Sequence, residues 1–203
     1  MYTVFVTGPL ASGKRTACLY LASRGFTHID LDDMAKEFLE DELVLQQLRE
    51  AYGAGICDEE GSVIRAELAR RAFVDAESSA ALNGIIWPLV IGRLGELIVG
   101  RSCQQNLSDE KLVVEIAMLA EADGALDLAD TILCITADEK LRIERALARG
   151  MQQEDILNRI ALQASDDERA AISDVVIENN GSLESLHEKL DIWLESAFQE
   201  HMF

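Results

Sequence analysis

Proline is nearly absent from this sequence, with two in 203 residues. So few helix breakers, together with abundant Ala, Leu and Glu, lean the chain towards helix. Aromatic residues are scarce too, at 5%, so the core expected from 49% hydrophobic residues is one of Leu, Ile, Val and Ala. Basic residues are outnumbered: 18 Lys and Arg against 37 Asp and Glu leave a net charge of −19. A surface this acidic repels nucleic-acid phosphates, which argues against a general nucleic-acid binder. It also makes any local group of Arg and Lys informative, because background attraction does not explain it. The four cysteines, Cys18, Cys57, Cys103 and Cys134, form no CxxC pair, so neither structural zinc nor a disulfide framework is expected. Cys18 and Cys134 lie in apolar runs and read as buried thiols. No apolar run approaches the length of a membrane span, and the chain opens inside an expected strand with no cleavable signal. A reducing cytoplasm is the expected location, with no membrane and no nucleic-acid partner.

What the sequence does have is one stretch that organises the rest: Gly8-Pro9-Leu10-Ala11-Ser12-Gly13-Lys14-Arg15-Thr16. It follows the apolar run Tyr2-Thr3-Val4-Phe5-Val6-Thr7, which suits a strand buried on both faces. It leads into Thr16-Ala17-Cys18-Leu19-Tyr20-Leu21, whose spacing suits a helix packed on that strand. Strand, glycine-rich turn and helix are the context of a phosphate-binding loop. Gly8 and Gly13 permit the tight backbone, its N–H groups and the helix N-terminus converge on anionic oxygens, and Lys14 bridges terminal phosphates. Arg15 stands where Ser or Thr is usual. The competing reading is a glycine-rich turn that happens to carry a lysine.

Phe26-Thr27-His28-Ile29-Asp30-Leu31 reads as a second strand, ending in the carboxylates Asp30, Asp32 and Asp33. Ligands of open parallel sheets bind beyond the carboxyl ends of strands. Asp30 or Asp32 is therefore placed to orient or deprotonate an acceptor hydroxyl, while Asp32 or Asp33 equally suits a helix cap. Helical patterns follow over 34–48, 64–73 and 79–99, with Trp87-Pro88 as a kink or boundary. This is too much for a simple crossover and reads as a helical insertion. Further strands are expected from Lys111, Asp130 and Asp174, with helices over 138–163 and 183–197. Alternating strands and helices imply a parallel α/β sheet.

Arg142, Arg145 and Arg149 are spaced three and four apart, which puts their guanidinium groups near one helix face. That face reads either as solvated ion pairs or as cations that close on a triphosphate. Glu115, near the end of its strand, suits a magnesium-bound water or a plain salt bridge. His28, His187 and His201 form no cluster and are given no catalytic role.

Taken together, these segments resemble dephospho-coenzyme A kinases. The family's TGGIGSGKST loop corresponds to Thr7 through Thr16, and its IDAD strand end to Ile29-Asp30-Leu31-Asp32. Its substrate segment resembles Glu60-Gly61 through Arg65, Leu68 and Phe73, and its D-I-P-L-L-x-E resembles Glu115 through Glu121. Its lid pattern resembles Arg142 through Arg149, R-I-A-x-Q stands intact as Arg159 through Gln163, and A-D-x-V-I-x-N-x-G resembles Ser173 through Gly181. The resemblance implies a three-layer α/β/α P-loop NTPase fold with a parallel sheet of about five strands. The core spans 1–33, 108–137 and 166–203, with a helical coenzyme A-binding insertion over 34–107 and a helical lid over 138–165.

It further implies ATP- and Mg2+-dependent phosphorylation of the 3′-hydroxyl of dephospho-coenzyme A by a monomer or weak homo-oligomer. Catalytic roles fall to Asp32 as base, with Lys14 and Arg145 on the transferred phosphoryl. Gly8, Ala11, Ser12, Gly13, Lys14, Arg15, Thr16, Arg142 and Arg149 fall on the nucleotide, with Asn180-Gly181 at the adenine ring. Asp30, Asp32, Arg65, Trp87 and Glu115 fall on the acceptor, and Thr16 and Glu115 on the metal through water. Arg15 replaces the magnesium-binding serine, Trp87 replaces a histidine before Pro88, Glu115 and Ala117 replace Asp and Pro, and Arg142 replaces Gln. Two alternatives therefore stay open: a kinase of another small acceptor, and a catalytically weak or silent nucleotide- or coenzyme A-binding protein.

Overall fold

The computed structural model describes residues 1–102, 110–117 and 125–199. Cys103, His201 and the part of the Glu115 motif from Met118 to Glu121 lie outside them. The chain forms two compact units, Met1–Asp30 with Arg101–Phe203, and Leu31–Gly100.

The first unit is built on a parallel sheet of β1 (Tyr2–Thr7), β2 (Phe26–Asp30), β3 (Lys111–Glu115), β4 (Thr131–Thr136) and β5 (Val175–Glu178). Its order is β2-β3-β1-β4-β5. β1 sits at the centre because Val4, Phe5 and Val6 are fully buried on both faces, as an uninterrupted apolar strand requires. After β1 the chain moves to one side of that strand, and after β4 to the other. The crevice beyond the carboxyl ends of β1 and β4 is thus where a ligand site is expected.

One face of the sheet is covered by α1 (Lys14–Ser23) and α9 (Leu183–Gln199). Ala17, Cys18 and Leu21 pack there with Leu186, Leu190 and Trp193 over Val4, Val6, Leu133 and Ile135. Cys18 and Cys134 are both fully buried, as their apolar context predicts. A separate cluster joins Leu10 and Ala11 of the glycine loop to Ile143, Ala146, Ile156 and Ile160. Those residues lie on α6 (Glu139–Ala148) and α7 (Gln153–Leu162), so the loop rests on both helices. The single helical stretch expected over 138–163 is two helices, because Gly150 adopts φ +84° between them. A short further helix, α8 (Asp166–Ala171), was not expected. It opens with a capping box in which Ser165 and Glu168 exchange hydrogen bonds.

The second unit is helical: α2 (Leu31–Phe38), α3 (Glu42–Tyr52), α4 (Arg65–Ala72) and α5, which runs Ala76–Ser102 past the unit's end. The helix expected over 34–48 is divided, since Asp41 caps α3 by accepting from Leu43 N and Val44 N. Asp32 and Asp33 lie inside the first turn of α2, where the helix dipole favours carboxylates. Pro88 does not end α5, which continues through it. The expectation that no run reaches membrane-span length is also corrected: α5 is long and apolar enough over Ala76–Gly100. Its buried residues Trp87, Val90, Leu94 and Ile98 recur every three or four positions, with Ile86 beside Trp87, so they form one stripe along the helix.

Leu133 is fully buried in β4 beside β1. Leu133→Ala is expected to lower unfolding free energy by about 2–5 kcal/mol, read as a lower urea midpoint at unchanged slope.

Candidate active site

The glycine loop leaves β1 at Gly8 and enters α1 at Lys14. Two of its positions admit no side chain. Gly8 has φ +152°, and a Cβ there would collide with the Ile135 carbonyl oxygen of β4. Gly13 has φ +109°, and a Cβ there would collide with the Asn179 side-chain amide. Between them Ala11 takes φ +59°, an uncommon conformation for a residue with a side chain. Ser12 N donates to Pro9 O at 3.3 Å, which closes the turn.

Gly13 is also the N-cap of α1, and no side chain caps the helix. The first-turn N–H groups thus have no side-chain cap as acceptor, the arrangement that suits an anion at a helix N-terminus. Lys14 Nζ reaches back to donate to Gly8 O at 2.8 Å and Pro9 O at 3.1 Å. Its charge therefore sits over the loop. Thr16 is in the first turn of α1.

Two hydrogen bonds hold the loop from outside it, and Arg145 braces one of the holders. Asn179, just after β5, donates its side-chain amide to Ser12 O at 2.7 Å and its own N–H to Thr136 O at 2.7 Å. Leu10 N donates to Gln163 Oε1 at 2.8 Å, which ties the loop to the end of α7. Arg145 Nη2 donates to Asn179 O at 2.9 Å, so α6 reads the same residue that reads the loop. Burial, with the nearby Arg149 charge second, pulls the Arg145 guanidinium below its ordinary value.

The three arginines expected on one face have different surroundings. Arg145 is half-buried, and Arg149 is exposed as the C-cap of α6. Arg142 is buried, with carboxylates of Asp166 at 3.7 Å and Glu139 at 3.9 Å. Arg142 thus turns into the protein while Arg149 turns out. Asn180 is engaged with Asp138, accepting from its N–H at 2.8 Å and donating to its carboxylate at 3.0 Å. Gly181 follows, exposed.

On the other side of β1, strand register sets Asp30 and Val6 each opposite Glu115. Arg15 Nη1 meets Asp30 Oδ2 at 2.8 Å. The cation in the hydroxyl position thus has an acidic partner, as its conflict with the helix dipole requires, and the partner is Asp30. Glu115 Oε2 lies 3.3 Å from His28 Nε2, so the histidine given no role in the sequence touches a candidate site carboxylate.

Asp32, Arg65 and Trp87 belong to the second unit: the first two are exposed at the starts of α2 and α4, and Trp87 is buried in α5. A further cation escaped sequence reading. Arg169 of α8 is buried, with Nη1 3.4 Å from Thr7 Oγ1 and 3.5 Å from Ala117 O at the mouth of β1. Only the Ser165-x-x-Glu168 capping pattern hinted at its helix. In a chain of charge −19, Lys14, Arg145 and Arg169 all make contacts with the loop or its anchors.

A sequence profile of dephospho-CoA kinases matches residues 2–185. The chain belongs to the dephospho-CoA kinase family. The family's Corynebacterium glutamicum dephospho-CoA kinase is 37% identical over 188 residues, covering 92% of this chain and 94% of that one. A crystal structure of a Thermus thermophilus protein superposes with a TM-score of 0.76 at 29% identity, over 96% of this chain and 97% of that one. Dephospho-CoA kinase from Campylobacter jejuni superposes at 0.71 with 21% identity, over 98% of each chain, a likeness of fold. The parallel five-stranded sheet flanked by helices is the three-layer P-loop kinase architecture, as expected.

Asn179→Ala removes a buried donor to Ser12 O and is expected to cost about 1–3 kcal/mol. Arg15→Ala removes an ion pair whose arginine side chain is 61% exposed, and is expected to change stability by less than about 1 kcal/mol. Paired chemical denaturation curves check both.

Proposed function

We propose that the protein transfers the γ-phosphoryl group of ATP to the 3′-hydroxyl of dephospho-coenzyme A. The observation that carries the site assignment is the loop itself, with Gly13 as an uncapped helix N-cap and Lys14 folded back over the loop. Phosphoryl transfer asks a protein mainly for positioning and charge neutralisation, and these groups supply both.

In this reading Gly8, Ala11, Ser12 and Gly13 form the backbone wall that meets the phosphates. Lys14 and Arg145 neutralise charge on the transferred group, and Arg142 and Arg149 add to the field around the nucleotide. Asn180-Gly181 borders the adenine ring. Asp32 takes the proton of the acceptor hydroxyl, while Asp30, held by Arg15, serves the acceptor side. The segment 34–107, with Arg65 and Trp87, binds the coenzyme A portion, and 138–165 acts as the lid.

Magnesium fits through Thr16 and Glu115 with intervening water, since it keeps several waters and takes oxygen donors. Arg15 offers it no hydroxyl. When bound it supplies charge neutralisation at the phosphates. The free thiols Cys18, Cys57 and Cys134 suit a reducing cytoplasm.

An ATP-consumption assay with dephospho-coenzyme A tests this. Asp32→Asn is expected to lower kcat by about 10²–10⁴-fold, and Lys14→Ala by about 10²–10³-fold. Turnover unaffected by either change rejects the assignments. Thermal stabilisation by ATP without turnover identifies a silent nucleotide binder instead.

A further inference from the structure

Cys18 on α1, His28 on β2 and Glu115 at the end of β3 bring a sulfur, an imidazole nitrogen and a carboxylate oxygen together. All three atoms lie within 4.8 Å of one another. Sequence spacing hides the group, because 10 residues separate the first pair and 87 the second (28 − 18 and 115 − 28). Register assembles it. Asp30 pairs with Glu115 across β2 and β3, which places His28, two residues earlier on the same face, diagonally beside Glu115. Cys18 lies one helical turn beyond Lys14. Cys18 is fully buried, and His28 Nε2 and Glu115 Oε2 are buried too, although their side chains keep 16% and 13% exposure, so surface lies close to the cluster on their side.

We propose that Cys18, His28 and Glu115 form a binding site for a borderline-soft divalent cation of the zinc class, with water in the fourth position. Thiolate, imidazole and carboxylate are the donors such a cation takes, whereas magnesium takes oxygens. Bonds of about 2.0–2.3 Å in a tetrahedron set ligand atoms roughly 3.3–3.5 Å apart. The His28 Nε2 to Glu115 Oε2 separation is 3.3 Å already, and no other edge exceeds that spacing by more than about 1.5 Å. One thiolate and one carboxylate cancel the charge of a divalent ion, so a largely buried site ends neutral.

Binding forms a metal–sulfur bond and sends the Cys18 proton to solvent; no electrons move. Burial, with the Glu115 charge second, holds that thiol well above its ordinary value, so without a metal Cys18 stays protonated. Occupancy has a consequence that rests on the kinase reading of Glu115 given above. The carboxylate that serves magnesium is drawn to the other metal, and the kinase is inhibited.

Cobalt(II) titration of the whole protein tests the site directly, because a thiolate ligand gives an intense ligand-to-metal charge-transfer band that oxygen and nitrogen ligands do not. The parent is expected to show that band, zinc to bleach it, Cys18→Ala to abolish it and His28→Gln to weaken binding. A parent without the band, or a band that survives Cys18→Ala, overturns the site. The parent spectrum decides even where a variant folds poorly. In the ATP assay at buffered free zinc, Cys18→Ala is expected to raise the concentration for half-inhibition by about tenfold or more. Turnover insensitive to zinc overturns the inhibitory role. Absence of turnover in the parent overturns the kinase reading and leaves the cobalt spectrum to judge the site.

Discussion

The structure depends on the fit of a side-chain-free backbone between two strands. Gly8 lies against the Ile135 carbonyl of β4 and Gly13 against the Asn179 amide after β5, at separations no Cβ tolerates. That closeness lets Asn179 hold Ser12 O, and it leaves the α1 N-terminus uncapped by any side chain. Leu10 and Ala11 then bury themselves on α6 and α7, while Gln163 takes the Leu10 N–H. A loop fixed on so many sides pre-organises its N–H dipoles, which is what makes them effective towards developing charge.

Charge follows the same geometry. Against a net charge of −19, the cations near the loop are each held by a structural contact: Arg145 on the Asn179 carbonyl, Arg169 beside Thr7, Arg142 near Asp166. Arg15 is placed differently. Its exposed guanidinium goes to Asp30, across the turn from α1 to the end of β2. A cation that opposes the helix dipole thereby acquires a carboxylate, and the start of α1 is linked to the end of β2 through side chains.

The fold was legible where a pattern is local. The apolar run of β1, the glycine turn and the alternation of strands with helices are nearest-neighbour facts, and the five strands fall where they were expected. Helix boundaries were less legible, because Asp41 and Gly150 act through cap and φ rather than through hydrophobic period. Pro88 misled in the opposite direction: losing one hydrogen bond in a long helix with a buried stripe does not end it. At the site, Gly8, Gly13 and Lys14 could be named because their spacing is read along one turn. Arg169 and His28 could not, since each gains meaning from a residue far away in the chain.

By itself, then, the sequence determined the phosphate-loop spacing, the parallel α/β class and the kinase family, all carried by short-range order in the chain. Tertiary structure alone decided which cations face the loop, that Arg15 serves Asp30, and that Cys18, His28 and Glu115 meet. Strand register and helix packing set those distances. A shift of one residue in either would turn the same side chains to another face.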